Sequence, residues 1–272
     1  MSATPNAPAA SRAAPDRMRR TARIAGVLYL LMFVSIPTLG LYQPVKDDVS
    51  AFLLGAGSDT GVMVGALAEV VVGLAGIGTA VVLFPVLKRQ NESAALGIVS
   101  ARLLETALIF VGVISLLTVV TLRNDVVGTA GTEPASLTTT GHTLVAVYTW
   151  TFLLSQSLMP VIVDLLLGYL LYRSGLVPRV LPMIAFVGAP LLLASDLAIF
   201  FGVYENVSPL ALVAALPVAA FEFSLGVYLV VRGFKPSSPL MAPGPTDAGV
   251  PAPVPAPRTG VRQPGGLGAD IG

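Results

Sequence analysis

Six long apolar runs, separated by short polar stretches, constrain this chain more than any motif in it. The runs cover residues 24–42, 62–87, 94–122, 143–172, 180–202 and 207–231. At about 1.5 Å per residue, a helix over each is long enough to approach or exceed the roughly 30 Å of a bilayer's hydrocarbon core. No water is available there, and a helix satisfies its backbone polar groups within one segment. The expected fold is therefore all-α: a polytopic membrane protein built as a bundle of six transmembrane helices. Charged residues make up 11% of the chain and hydrophobic residues 54%. That charge content is less than half of the ~25% that a water-facing domain carries, so lipid is the expected solvent.

The flanks differ in kind. Residues 1–22 are rich in Ala, Pro, Ser and Arg without an apolar period, and are expected to form a disordered cytoplasmic arm. Arg17, Arg19, Arg20 and Arg23 before the first run resemble a secretory leader. No small-x-small cleavage site follows at the usual distance, so an uncleaved anchor helix is expected. Residues 23–232 form the expected transmembrane domain. Residues 233–272 turn to Pro, Gly and Ala, as in Val250-Pro251-Ala252-Pro253, and are expected to form a disordered cytoplasmic tail. Pro37, Pro85, Pro160, Pro190 and Pro217 fall within or near the ends of spans, where neighbouring helices can satisfy the freed carbonyls.

Orientation follows from the cations. One side carries the arginine-rich arm, Lys88, Arg89, Arg173, Arg179, Arg232 and Lys235; the other mixes Lys46 and Arg123 with Asp47, Asp48, Asp59, Asp125, Glu133 and Glu205. The bias alternates with each crossing. By the positive-inside rule both termini are cytoplasmic and the protein sits in the cell membrane as a multi-pass chain.

Several chemistries are excluded. The net charge of +1 supplies no basic face for nucleic acid. With no cysteine and a single histidine, His142, the chain has no disulfide, no thiolate and no site needing two histidines. No G-x-x-x-x-G-K-[ST], G-x-S-x-G or H-E-x-x-H stretch occurs. Gly76-Ile77-Gly78 lies in an apolar helix with no preceding strand and is expected to serve packing. No catalytic residue, cofactor or metal ligand is assigned.

The residues that call for an explanation are six charges within the spans: Glu69, Arg102, Glu105, Asp164, Asp196 and Glu222. A charge at a helix centre costs about 2.5–3.5 kcal/mol on insertion scales, so the folded bundle must offset it. Glu69 with Gly73, Asp164 with Gly168 and Glu222 with Gly226 each read acid-x-x-x-Gly, on spans two, four and six. Residues four apart share a helix face, so each acid should face a neighbouring helix along a small-residue stripe. Such a stripe can serve close packing alone, with each acid hydrogen-bonded to a neighbour. Counted from Arg173 and Arg232, Asp164 and Glu222 lie near mid-depth. Arg102 and Glu105, one turn apart, reach the same level if span three begins near Ala94. One cation could then meet three carboxyls, Glu105, Asp164 and Glu222, leaving a charge balance that protons must supply. If span three begins later, Arg102 snorkels to the interface instead. His142 is expected in a wet interfacial position, and Tyr42, Tyr148, Trp150 and Tyr204 as interfacial anchors.

The stretch Leu83-Phe84-Pro85-Val86-Leu87-Lys88-Arg89-Gln90-Asn91-Glu92, followed by Ala101-Arg102-Leu103-Leu104-Glu105, resembles the bacterial membrane-protein family called domain of unknown function 4386. Arg23-Ile24-Ala25-Gly26-Val27-Leu28 resembles its opening, and Gly168 through Arg179 its fourth loop. The resemblance implies a multi-helix membrane protein and no particular activity. Three classes of function remain. A non-catalytic membrane partner, sensor or structural component would use the acids as interhelical ties and act through a membrane protein partner or homo-oligomer. A small-solute or proton-coupled transporter would use midplane carboxyls. A membrane-embedded enzyme is the least supported.

Overall fold

The computed structural model describes residues 10–128 and 134–241. The described residues are helical with no strand, and six of their helices are long and apolar enough to cross a membrane. We label α1 (Ala10–Met32), α2 (Asp59–Leu87), α3 (Glu92–Gly128), α4 (Pro134–Phe152), α5 (Met159–Ser174), α6 (Val180–Phe200) and α7 (Pro209–Val231). A π-helical turn, Leu153–Leu158, joins α4 to α5, so the two make one long fourth span. The turn ends just before Pro160. Proline has no N–H for the carbonyl four residues back and its ring crowds that carbonyl, which widens the turn before it.

The spans close into a ring. Helix α1 packs against α2 and α7, α7 against α6, α6 against α5, and α3 against α2, α4 and α5. Glycines set the closest approaches. A Cβ on Gly26 would lie 2.6 Å from the Gly226 carbonyl oxygen, and one on Gly188 would lie 2.9 Å from Pro217. Gly76 and Gly78 likewise face Arg102 and Leu28, in keeping with a packing role. The outward faces carry exposed apolar residues such as Leu67, Ile114, Val187 and Leu216, as lipid requires.

Spans two, three and four overrun their apolar runs, because polar residues continue a helix beyond hydrocarbon, whereas α6 and α7 each stop two residues short at one end. Three expectations need correction. Helix α1 begins at Ala10, so 10–22 are helical and not a disordered arm; residues 1–9 lie outside the described residues. The first run is not one straight helix. It breaks after Met32 into a 3-10 turn, Phe33–Ser35, before Pro37, and resumes as the short helix Thr38–Leu41; two more short helices, Gln43–Asp47 and Val49–Leu53, follow the run. The segment after α7 is ordered as far as Met241: the Lys235 N–H donates to the Leu176 carbonyl at 2.8 Å and the Ser238 hydroxyl to the Ser174 carbonyl at 2.7 Å. Phe234 is buried beside them, and the rest of the expected tail, 242–272, lies outside the described residues.

Candidate functional site

The ring turns a set of polar side chains inward from four spans: Tyr29 of α1, Arg102 and Glu105 of α3, Asp164 of α5 and Glu222 of α7. Arg102 is fully buried, so it does not snorkel. Its Nη1 donates to both oxygens of Glu105 at 2.9 Å, one turn along α3, and its Nη2 donates to Glu222 Oε1 at 2.9 Å across the ring. The Tyr29 ring lies under the guanidinium, 5.8 Å from its carbon. Charge-assisted bonds of this kind are the strong ones, and burial removes the competition from water.

Asp164 stands apart from those bonds. It interacts electrostatically with Glu222, Arg102 and Glu105, yet among the described residues neither of its oxygens has a hydrogen-bond partner, and it is fully buried. The expected meeting of one cation with three carboxyls is thus direct for Glu105 and Glu222 and indirect for Asp164. The Arg102 Nε is also unpartnered.

The other two acids meet the π-turn. Gln156 donates to Glu69 Oε1 at 3.2 Å, and Ser157 donates to Asp196. Two consecutive side chains of one turn therefore reach acids on α2 and α6. Glu69 Oε1 also accepts from the Tyr148 hydroxyl at 3.0 Å, leaving Oε2 unpartnered. Tyr148 packs edge-on against Tyr42, with ring centroids 5.3 Å apart, and Lys46 sits over the Tyr148 ring. Lys46 lies on the short helix Gln43–Asp47, outside the spans. Burial pushes its ammonium below the ordinary lysine range, against the opposing pull of Asp47, Glu69 and Glu205. Tyr42 and Tyr148 are therefore not the interfacial anchors expected of them: both are buried, because the π-turn and the broken first span fold them over Glu69. Trp150 and His142 are exposed, and Tyr204 donates to Ser195 at 2.9 Å.

A cavity of about 200 Å³ lies beside these groups, where α1 breaks. All six spans line it, with Ser35, Val72, Glu105, Gln156, Leu192 and Glu222 each from a different one. Ser157 also faces it. Two acids thus line the cavity directly, while Glu69 and Asp196 are tied to its wall through Gln156 and Ser157. The volume lies below the roughly 300–1,000 Å³ of pockets that hold drug-sized ligands, so an occupant would be small. Among the described residues no group of three or more His, Asp or Glu is placed to hold a metal ion.

The glycine of each acid-x-x-x-Gly pair marks a close helix contact. Gly73 receives Thr106 of α3, whose hydroxyl donates to the Gly73 carbonyl at 2.9 Å. Gly168 faces Ala185 of α6, and Gly226 faces Gly26 and Leu30 of α1. Small residues and acids work together: the glycines bring helices close and the carboxyls are tied between them.

A family model described as Domain of unknown function (DUF4386) matches residues 24–233. No curated protein and no solved structure matches the chain.

Proposed function

The chain belongs to the DUF4386 family, and on that premise we propose that it is an integral membrane protein that binds a small cationic solute, or a proton with a solute, in its central cavity and carries it across the membrane. One observation carries this reading: all six spans meet at a single cavity, and the charged groups facing it are the carboxyls of Glu105 and Glu222. One guanidinium stands against three nearby carboxyls. The remaining negative charge calls for protons or a cationic group, and Glu222, with a side chain 13% exposed, is the more accessible of the two acids that line the cavity. Gln156 and Ser157 supply neutral hydrogen-bonding groups beside it.

In this reading the cell membrane is the bacterial plasma membrane, with both termini cytoplasmic. Since the chain lacks cysteine, single cysteines report topology without background. Ser58→Cys, at an exposed site between the short helices and α2, should react with an impermeant maleimide added to intact cells. Ser93→Cys and Ser237→Cys, both exposed, should react only after lysis. Labelling of Ser93→Cys from outside would reverse the orientation.

The transport test uses purified protein in vesicles, with methylammonium and protons as probes and a pH-sensitive dye inside. Uptake above that of protein-free vesicles is expected, and Glu222→Gln should reduce it by roughly tenfold, the equivalent of losing about 1.4 kcal/mol of interaction. If the well-folded wild-type chain moves neither probe, and a panel of small amines leaves its melting temperature unchanged, the solute reading fails. The Arg102, Glu105 and Glu222 ties then stand as interhelical glue in a membrane partner or structural component.

A further inference from the structure

A second concavity, which shares no lining residue with the first, lies on the outer face of α6 and α7 at the end of the bundle that carries Arg179, Arg232 and Lys235. It measures about 450 Å³ and is lined by apolar groups of Leu181, Phe223, Val227, Tyr228 and Val231, with Arg232 at one end. Phe223, Val227 and Val231 are exposed there, and among the described residues no acid lines it. We propose that this groove is a binding site for one anionic glycerophospholipid, its acyl chain along α7 and its phosphate at Arg232.

Three observations favour this occupant. First, the groove lies on the outward face of two helices that are long and apolar enough to cross a membrane, where lipid is the surrounding medium. Second, its length fits one leaflet. From Phe223 to Arg232 the helix rises about 14 Å at about 1.5 Å per residue, half of the roughly 30 Å hydrocarbon thickness. A chain lying in it would end near mid-bilayer and place its headgroup at the arginine. Third, the charge at the mouth is of one sign. Arg232 faces the groove, Arg179 stacks on Tyr172 beside it, and Lys235 is held at the same end by its backbone bond to Leu176. Guanidinium binds phosphate in a planar, two-pronged geometry, whereas a zwitterionic headgroup adds a cation that this end would repel.

Native mass spectrometry of the full chain, released from detergent with equal amounts of phosphatidylglycerol and phosphatidylcholine, tests the site. One phosphatidylglycerol should be retained at least fivefold more than phosphatidylcholine. Arg232→Gln should remove the preference, and Val227→Trp, which fills the groove but keeps the arginine, should remove retention of the lipid itself. Both changes are at exposed positions. Val231→Trp provides a second filling variant should Val227→Trp melt early in plain detergent. Equal retention of the two lipids, or undiminished retention in both filled variants, would overturn the proposal. So would a shift from dimer to monomer in the filled variants, since the groove would then be an interface between copies.

Discussion

Arg102→Leu should cost about 3–5 kcal/mol of stability, the range for removing one member of a buried ion pair, while Arg89→Leu at an exposed loop position should cost little. The asymmetry comes from what is left behind. Without the guanidinium, Glu105 loses both of its hydrogen bonds and Glu222 loses its tie across the ring. Thermal melting of the detergent-solubilised protein reads the loss. A second substitution in the Arg102→Leu background then apportions it through non-additivity. Glu105→Gln should rescue most, because Glu105 is nearly sealed from water and depends on Arg102 for both oxygens. Glu222→Gln should rescue less, since the Glu222 side chain is more exposed than that of Glu105 and accepts one bond from the arginine rather than two. Asp164→Asn should couple weakly, as it accepts nothing from the arginine. Equal melting of Arg102→Leu and Arg89→Leu would mean that the buried pairings carry no weight.

Much of this site is legible in the amino-acid sequence, for physical reasons that can be named. Hydrocarbon forbids unsatisfied backbone, so run length alone yields six spans. Charge in hydrocarbon is costly, so the six charges within the spans stand out. The i,i+3 spacing of Arg102 and Glu105 puts them on one face, and counting depth from the terminal arginines brings Glu222 to their level. Helix rotation is not legible in the same way. The partners of Glu69 depend on which way Tyr148 and Gln156 point, and the π-turn between α4 and α5 shifts that register. Nothing in Leu153-Leu154-Ser155-Gln156-Ser157-Leu158 marks a widened turn; only Pro160, just beyond it, hints at one. The burial of Tyr42 is hidden for a related reason. The break at Phe33 sends the chain back over Gly65, where a Cβ would lie 2.5 Å from the tyrosine ring. Phe234 and Ser238 pack without any period, because short segments capping a bundle need only one or two anchors.

The contact between α1 and α7 carries the other large expected effect. Helices in lipid gain no hydrophobic driving force from meeting, so close backbone approach through small residues is a main source of their cohesion. Gly26 and Gly226 supply it: a Cβ on Gly26 would meet the Gly226 carbonyl oxygen at 2.6 Å and the Val230 backbone nitrogen at 2.8 Å. Backbone atoms in a packed helix cannot turn aside as a flexible side chain can, so the two helices must separate. Gly26→Val should therefore cost at least the 1–3 kcal/mol typical of overpacking, and more than Gly26→Ala. The separation also reaches the site, because Glu222 lies one turn before Gly226 on α7 and Tyr29 lies one turn after Gly26 on α1. Moving α7 outward lengthens the Arg102 to Glu222 bond, so Gly26→Val and Glu222→Gln should overlap in their effects rather than add. Gly40→Ala is the control, since a Cβ there meets nothing within 4 Å. Melting temperatures of the four variants and the double mutant decide the matter: strict additivity of Gly26→Val with Glu222→Gln would show that the helix crossing and the buried ion cluster are independent.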